Sequence, residues 1–234
     1  MAIPLLSEII VTTTRRRFIE SAAANAAALA LLPGTMFAAM PEDFVSDPSA
    51  DEWDIAWPDK LRGKYKAVFD MTEPESGFGV WRAAFWANQY MDVMKAAPAD
   101  LSPVLIIRHN AIFLAMQQSF WDKYNIGEVA KINHPLTGDV AKRNPVLLDE
   151  RDGLQAPFAS MGLHKQLARG ATALACNLAL RLPIQIVQRT DKVSPEAARK
   201  VVVESIVPGV ILQPSGVFAA IRAQGAGAAY IHAS

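Results

Sequence analysis

From Tyr65 onward the chain alternates short, continuously apolar runs with longer stretches of helical spacing. "KYKAVFDM" is a short apolar strand candidate, and "SPVLIIRH" is β-branched and apolar on both faces, as a strand buried in a parallel sheet should be. Runs of the same kind predict five strands near residues 65–71, 103–108, 172–176, 209–213 and 228–232. Between the first two, "GVWRAAFWANQYMDVMKAA" predicts a helix whose apolar face combines Val80, Ala84, Trp86 or Ala87, Tyr90, Met91 and Met94. "SPEAARKVVVESIVPG" predicts another, with Ser194 as N-cap, Pro195 in its first turn and a Pro-Gly exit. Residues 111–157 hold a short helix and then a long excursion bearing Pro and Asn, of a length usually tied to function or to an interface. Strands alternating with helices place the chain in the α/β class. The expected architecture is a three-layer α/β/α fold around a mostly parallel five-stranded sheet.

The pattern differs before Tyr65. Thr14-Arg15-Arg16-Arg17-Phe18-Ile19 resembles the twin-arginine export motif, and no charged residue follows Glu20 until Glu42. An Arg-bearing start followed by a modest apolar run is the pattern of a signal peptide, read by the twin-arginine translocase and leading to the periplasm. The alternative is an uncleaved membrane anchor. Pro33-Gly34 interrupts the apolar run short of the roughly 20 residues a spanning helix needs. Residues 40–63 are acidic and broken by proline, and read as a linker that becomes an arm with Trp53 and Trp57 as docking side chains. The expected division is a signal over residues 1–39, a linker and arm over 40–63, and an α/β domain over 64–234.

Composition narrows the function classes. Lys plus Arg and Asp plus Glu both number 23 in the 234 residues. That balance lacks the basic face a nucleic-acid binder needs. A single cysteine, Cys176, excludes an intramolecular disulfide. "TEPESGFG" after the first strand lacks the G-x-G-x-x-G spacing, so no dinucleotide cofactor is implied. His134 and His164 make no metal-ligand spacing with Cys176, so no metal site is expected.

Open parallel sheets bind ligands beyond the carboxyl ends of their strands. The residues leaving the predicted strands are Asp70, Met71 and Thr72; Arg108, His109 and Asn110; Cys176 and Asn177; Pro214, Ser215 and Gly216. Cys176 stands where a helix begins, and unpaired N–H groups there would stabilise a thiolate. Free cysteine is also among the most buried residue types, and its neighbours are alanine and leucine. His109 suits an acid/base or a thiolate partner, or equally a loop-bonded imidazole. Arg108 suits an anion or the anchoring of the excursion. Ser215 has a plain reading as N-cap of "GVFAAIRAQ".

The closing segment "VPGVILQPSGVFAAIRAQGAGAAYI" resembles that of the DsrE-like family of sulfur-relay proteins. "ALACNLAL" is similar to that family's strand-end cysteine followed by asparagine, and "VLIIRHNAI" to its second strand. The resemblance covers residues 64–232 apart from the excursion. It implies a five-stranded parallel sheet, small homo-oligomers, and a persulfide carried on the matching cysteine, Cys176. Asn177, His109 and Ser215 match pattern positions without an assigned role.

Three functions follow as expectations. The first is an exported DsrE-like protein carrying sulfur on Cys176 with His109 nearby, exchanging it with a periplasmic protein partner or a small sulfur compound. Thr72, Arg108, Asn110, Asn177, Ser215 and Gly216 would then line the ligand. The second is a non-catalytic homo-oligomeric binding module. The third is a small hydrolase using Ser215 or Cys176 with His109, which needs nucleophile and base within hydrogen-bond reach.

Overall fold

The computed structural model describes residues 53–234. Five strands, β1 (Tyr65–Met71), β2 (Leu101–Ile107), β3 (Thr172–Cys176), β4 (Val210–Gln213) and β5 (Ala229–His232), form one sheet in the order β4-β3-β2-β1-β5. Every pairing is parallel, so the sheet expected to be mostly parallel is wholly so. The helices are α1 (Phe78–Val93), α2 (Gln118–Tyr124), α3 (Ile126–Val129), α4 (Leu163–Ala168), α5 (Arg181–Asp191), α6 (Pro195–Glu204) and α7 (Gly216–Gly225). Ser194 caps α6 and Ser215 caps α7, each accepting a backbone N–H from the first turn.

Chain direction decides which face each helix covers. From β1 to β4 the chain steps one way across the sheet, and right-handed crossovers then place all three connections on one face. The last connection runs back across three strands to β5, so α7 falls on the opposite face. Side-chain clustering agrees. Phe69, Met71, Leu105, Ile107, Ala173 and Ala175 pack with Val80 of α1, Val187 of α5 and Val202 of α6. Val68, Val104, Ile106 and Leu174 pack instead with Ala219, Ala220 and Ala223 of α7. Burial on both sides explains why the strands read as unbroken apolar runs.

One short helix cannot cover a five-stranded face. The arm completes it: Trp57 and Leu61 join the α7 cluster, Trp57 fully buried. The Trp57 indole donates to Gln213 Oε1 at 3.0 Å, and Gln213 Nε2 donates to the carbonyls of Asp54 and Leu212. Gln213 is itself fully buried, and these bonds satisfy its amide at the end of β4. Trp53, the other expected docking side chain, is only half-buried.

One expectation needs correction. In α1 the deeply buried residues are Val80, Trp81, Ala83 and Ala84, whereas Tyr90 and Met91 are half-buried and Met94 is exposed. The cause is a second apolar surface built by the 111–157 segment and the residues just after it: Leu148 and Leu154, with Ala159 and Met161, pack on Trp81, and Phe158 lies against its ring. The segment thus supplies core as well as surface. Ile112, Leu114, Met116, Trp121 and Ile126 are all fully buried, and Asn144 donates to the carbonyls of Leu114 and Met116. Gly127 permits the closest approach, since a β-carbon there would lie 1.8 Å from the Ala141 carbonyl oxygen.

Candidate functional site

The strand ends carry most of the polar groups singled out above. Asp70 is the one acid in β1, and alternation places it with Val68 on the α7 face. It is 2% exposed. A carboxylate so enclosed needs partners. Arg108, the first residue after β2, supplies them side-on: Nε donates to Oδ1 at 2.7 Å and Nη2 to Oδ2 at 2.8 Å. The Tyr230 hydroxyl, from β5, donates to Oδ2 at 2.7 Å. Burial is the largest influence on Asp70 and pushes its carboxyl up. The hydrogen bonds from Arg108 and Tyr230, with the nearby positive charge, together outweigh it and hold the carboxyl below its ordinary value. The same bond to Asp70 raises Arg108, and the buried carboxylate raises the Tyr230 phenol.

Gly216 opens α7 directly against this pair. A β-carbon there would stand 2.4 Å from Arg108 Cδ, so glycine lets the helix start pack on the arginine stem. Ser215 Oγ accepts from the Phe218 N–H at 3.0 Å and acts as the N-cap. His109 is exposed and holds a left-handed φ of 49°, a conformation uncommon outside glycine. Its Nε2 lies 3.2 Å from Arg108 Nη1. A guanidinium only donates, so Nε2 is the acceptor in this pairing. Thr72 and Asn110 form a separate group. The Thr72 N–H donates to Ser234 Oγ at 2.7 Å, and Asn110 Nδ2 donates to both carboxylate oxygens of Glu73.

Cys176 ends β3 and is 4% exposed. It opens a four-residue 3-10 turn, Asn177–Leu180, and the α-helix begins only at Arg181. The expected placement at a helix start is therefore reached through a tighter turn. The side chain belongs to the core cluster beneath α5 and α6, with Ala179 and Leu180 buried beside it and Leu178 turned outward. Among the described residues its thiol has no hydrogen-bond partner. Asn177 is buried and accepts from Arg199 Nη2 at 2.8 Å. The turns after β2 and β3 touch, yet no hydrogen bond joins Cys176 or Ser215 to His109 among the described residues. A nucleophile–base pair is not formed there.

The structure thus joins Arg108, His109 and Gly216 at one spot, joins Thr72 to Ser234 and Asn110 to Glu73 at another, and leaves Cys176 in the core. Asp70 and Tyr230 are the additions. A lone acid inside an apolar strand was the available signal for the first, because it must find a cation in the fold. Among the described residues no three His, Cys, Asp or Glu side chains converge as metal ligands would. Cavities lie elsewhere, one beside Ala87 and one beside His134. The chain matches no family model, no curated protein and no solved structure.

Replacing Arg108 by Met leaves a buried carboxylate with Tyr230 alone, and unfolding by urea should show a loss of about 3 kcal/mol. Asp70→Leu combined with Arg108→Met should recover much of it. For wild type the pair's contribution is fully present above pH 4 or so, where unfolded carboxyls are ionised. It should fall away as acidification approaches the lower folded value. A stability loss for Arg108→Met of less than about 1 kcal/mol would contradict this reading.

Proposed function

We propose that the protein is an exported, DsrE-like α/β module that works by binding, assembling with further copies of itself through the outer face of α7. The observation that carries this reading is the apolar stripe on that helix. Val217 is 62% and Ile221 65% exposed, with Phe218 beside them and Tyr230 and Ile55 flanking. From Pro214 to Ser234 the only formally charged side chain is Arg222, and its Nη2 is bonded to the Ile55 carbonyl. A face without carboxylates and with its one cation engaged offers nothing to a strongly charged partner. An identical apolar face complements it, and i, i+4 positions such as 217 and 221 form the ridge that packs into a like groove. Sedimentation velocity should show concentration-dependent association of wild type, abolished by Ile221→Asp. A monomer throughout the micromolar range would overturn the proposal.

Carriage of sulfur on Cys176 is the second reading, favoured by position. β3 and β4 are neighbours whose connections leave on opposite faces, and a ligand site in an open parallel sheet falls at such a point. In the transfer, the Cys176 thiolate attacks the outer sulfur of a donor persulfide. A new S–S bond forms on Cys176, the donor's S–S bond breaks, and the departing thiolate takes up the proton that Cys176 released. The core packing of Cys176 ranks this reading second. Intact-mass measurement after incubation with a persulfide donor should then show one added sulfur on wild type and none on Cys176→Ser; equal labelling of both would exclude it.

Export rests on the twin-arginine resemblance at Arg15 and Arg16, which lies outside the described residues. Among the described residues no helix is long and apolar enough to cross a membrane. Arg15→Lys with Arg16→Lys should hold the protein in the cytoplasm on fractionation, and undiminished periplasmic recovery would exclude this route.

A further inference from the structure

Within the 111–157 segment, residues 132–141 fold back on themselves as a tight loop. The Ala141 N–H donates to the Ile132 carbonyl at 2.8 Å, the His134 N–H to the Asp139 carbonyl at 2.7 Å, and the Gly138 N–H to the His134 carbonyl at 3.0 Å. Gly138 holds the left-handed φ of 76° on which the turn depends. Beside this loop lies the second cavity, about 270 Å³ and open to solvent. Leu148, which is buried, and Val140 give it an apolar wall.

The charges that line it fall into two groups. Arg143 Nε lies 2.9 Å from Asp152 Oδ1, and Asp152 Oδ2 accepts the Asp149 N–H at 3.0 Å. That pair is satisfied within the protein. Lys142 and Asp139 are both exposed, and among the described residues neither has an ion pair, with the other or with any third group. Two opposite charges thus line one cavity without closing on each other. His134 adds a donor: its Nδ1 accepts the N–H groups of Leu136 and Thr137, each at 3.3 Å, so the neutral ring carries its proton on Nε2.

This pattern selects among ligands by charge. A simple anion would gain Lys142 and be repelled by Asp139, and a simple cation would meet the reverse. A molecule carrying both charges on one short frame answers both. No aromatic ring lines the cavity, so a quaternary ammonium would lack the cage it prefers. A primary ammonium, with three N–H donors, suits the carboxylate.

We propose that this cavity is a binding site for a free α-amino acid with an aliphatic side chain. The carboxylate is received by Lys142, the ammonium by Asp139, and the side chain lies against Val140 and Leu148. A cavity of about 150 Å³ admits benzene, so about 270 Å³ has room for roughly ten non-hydrogen atoms, and leucine falls within that. The site shares no residue with the α7 face and does not depend on it.

Leucine, 4-methylpentanoate and 3-methylbutylamine test the proposal together, since the acid lacks only the ammonium and the amine only the carboxylate. In NMR titrations of the full chain, leucine should shift the backbone amides of Thr137, Asp139 and Val140 saturably. The acid and the amine should each bind about fivefold more weakly, the worth of one well-placed exposed ion pair. Asp139→Asn should bring leucine down to the level of the acid, and Lys142→Gln down to that of the amine. Both positions are exposed, so neither change threatens the fold. Equal binding of the three molecules would show an apolar crevice without charge recognition, and no saturable shift with leucine would show a solvent-filled one. Either result overturns the proposal, as would leucine binding that both variants leave unchanged.

Discussion

The carboxylate of Asp70 is buried at the end of the central part of the sheet, and three separate segments converge to keep it charged there. Arg108 brings the exit of β2 against β1, Tyr230 holds β5 on the other side, and α7 begins on the arginine stem at Gly216. None of these contacts is local in sequence. The pair therefore acts as a lock on strand order, because a carboxylate without Arg108 would be left nearly unpaired in the core. It also engages groups that are otherwise suited to chemistry. The guanidinium is committed to Asp70, and its remaining nitrogen engages the His109 ring.

The unequal faces of the sheet follow from one reversal of chain direction. Three connections crowd one face, and there the apolar residues of the 111–157 segment add further core. The other face has α7 and an arm fastened by Trp57 and Gln213. The helix that shares this face with the arm turns its other side outward, and in α7 that side is apolar. Cys176 stands near the same reversal, but its side chain turns into the crowded face and is packed there.

Sequence reading recovered the strands, their parallel direction and the serine caps of α6 and α7, because each leaves a mark along the chain: a continuous apolar run, strands alternating with helices, or Ser before Pro or Gly. It read Ser215 correctly as a cap for the same reason. It could not pair Asp70 with Arg108 or Trp57 with Gln213, since partners 38 and 156 residues apart leave no local pattern. It put Val80 and Ala84 on the buried side of α1 but left Trp81 out and ran the stripe on to Met94, because the helix has two apolar neighbours, the sheet and the 148–161 region, which a single stripe does not describe. Neighbouring alanines left Cys176 open between a reactive and a packed thiol, because burial of a side chain is set by tertiary contacts that the local sequence does not mark.

On this account the polar constellation at the strand ends is chiefly architectural, and the functional surface is the outer side of α7. Disulfide capture tests that claim most directly. In a Cys176→Ser background, Ile221→Cys places the sole thiol on the α7 face, and Gln89→Cys places it on the exposed side of α1. Mild oxidation should give a covalent dimer with the α7 cysteine and little with the α1 cysteine. Equal cross-linking at both positions, or none at α7, would contradict it.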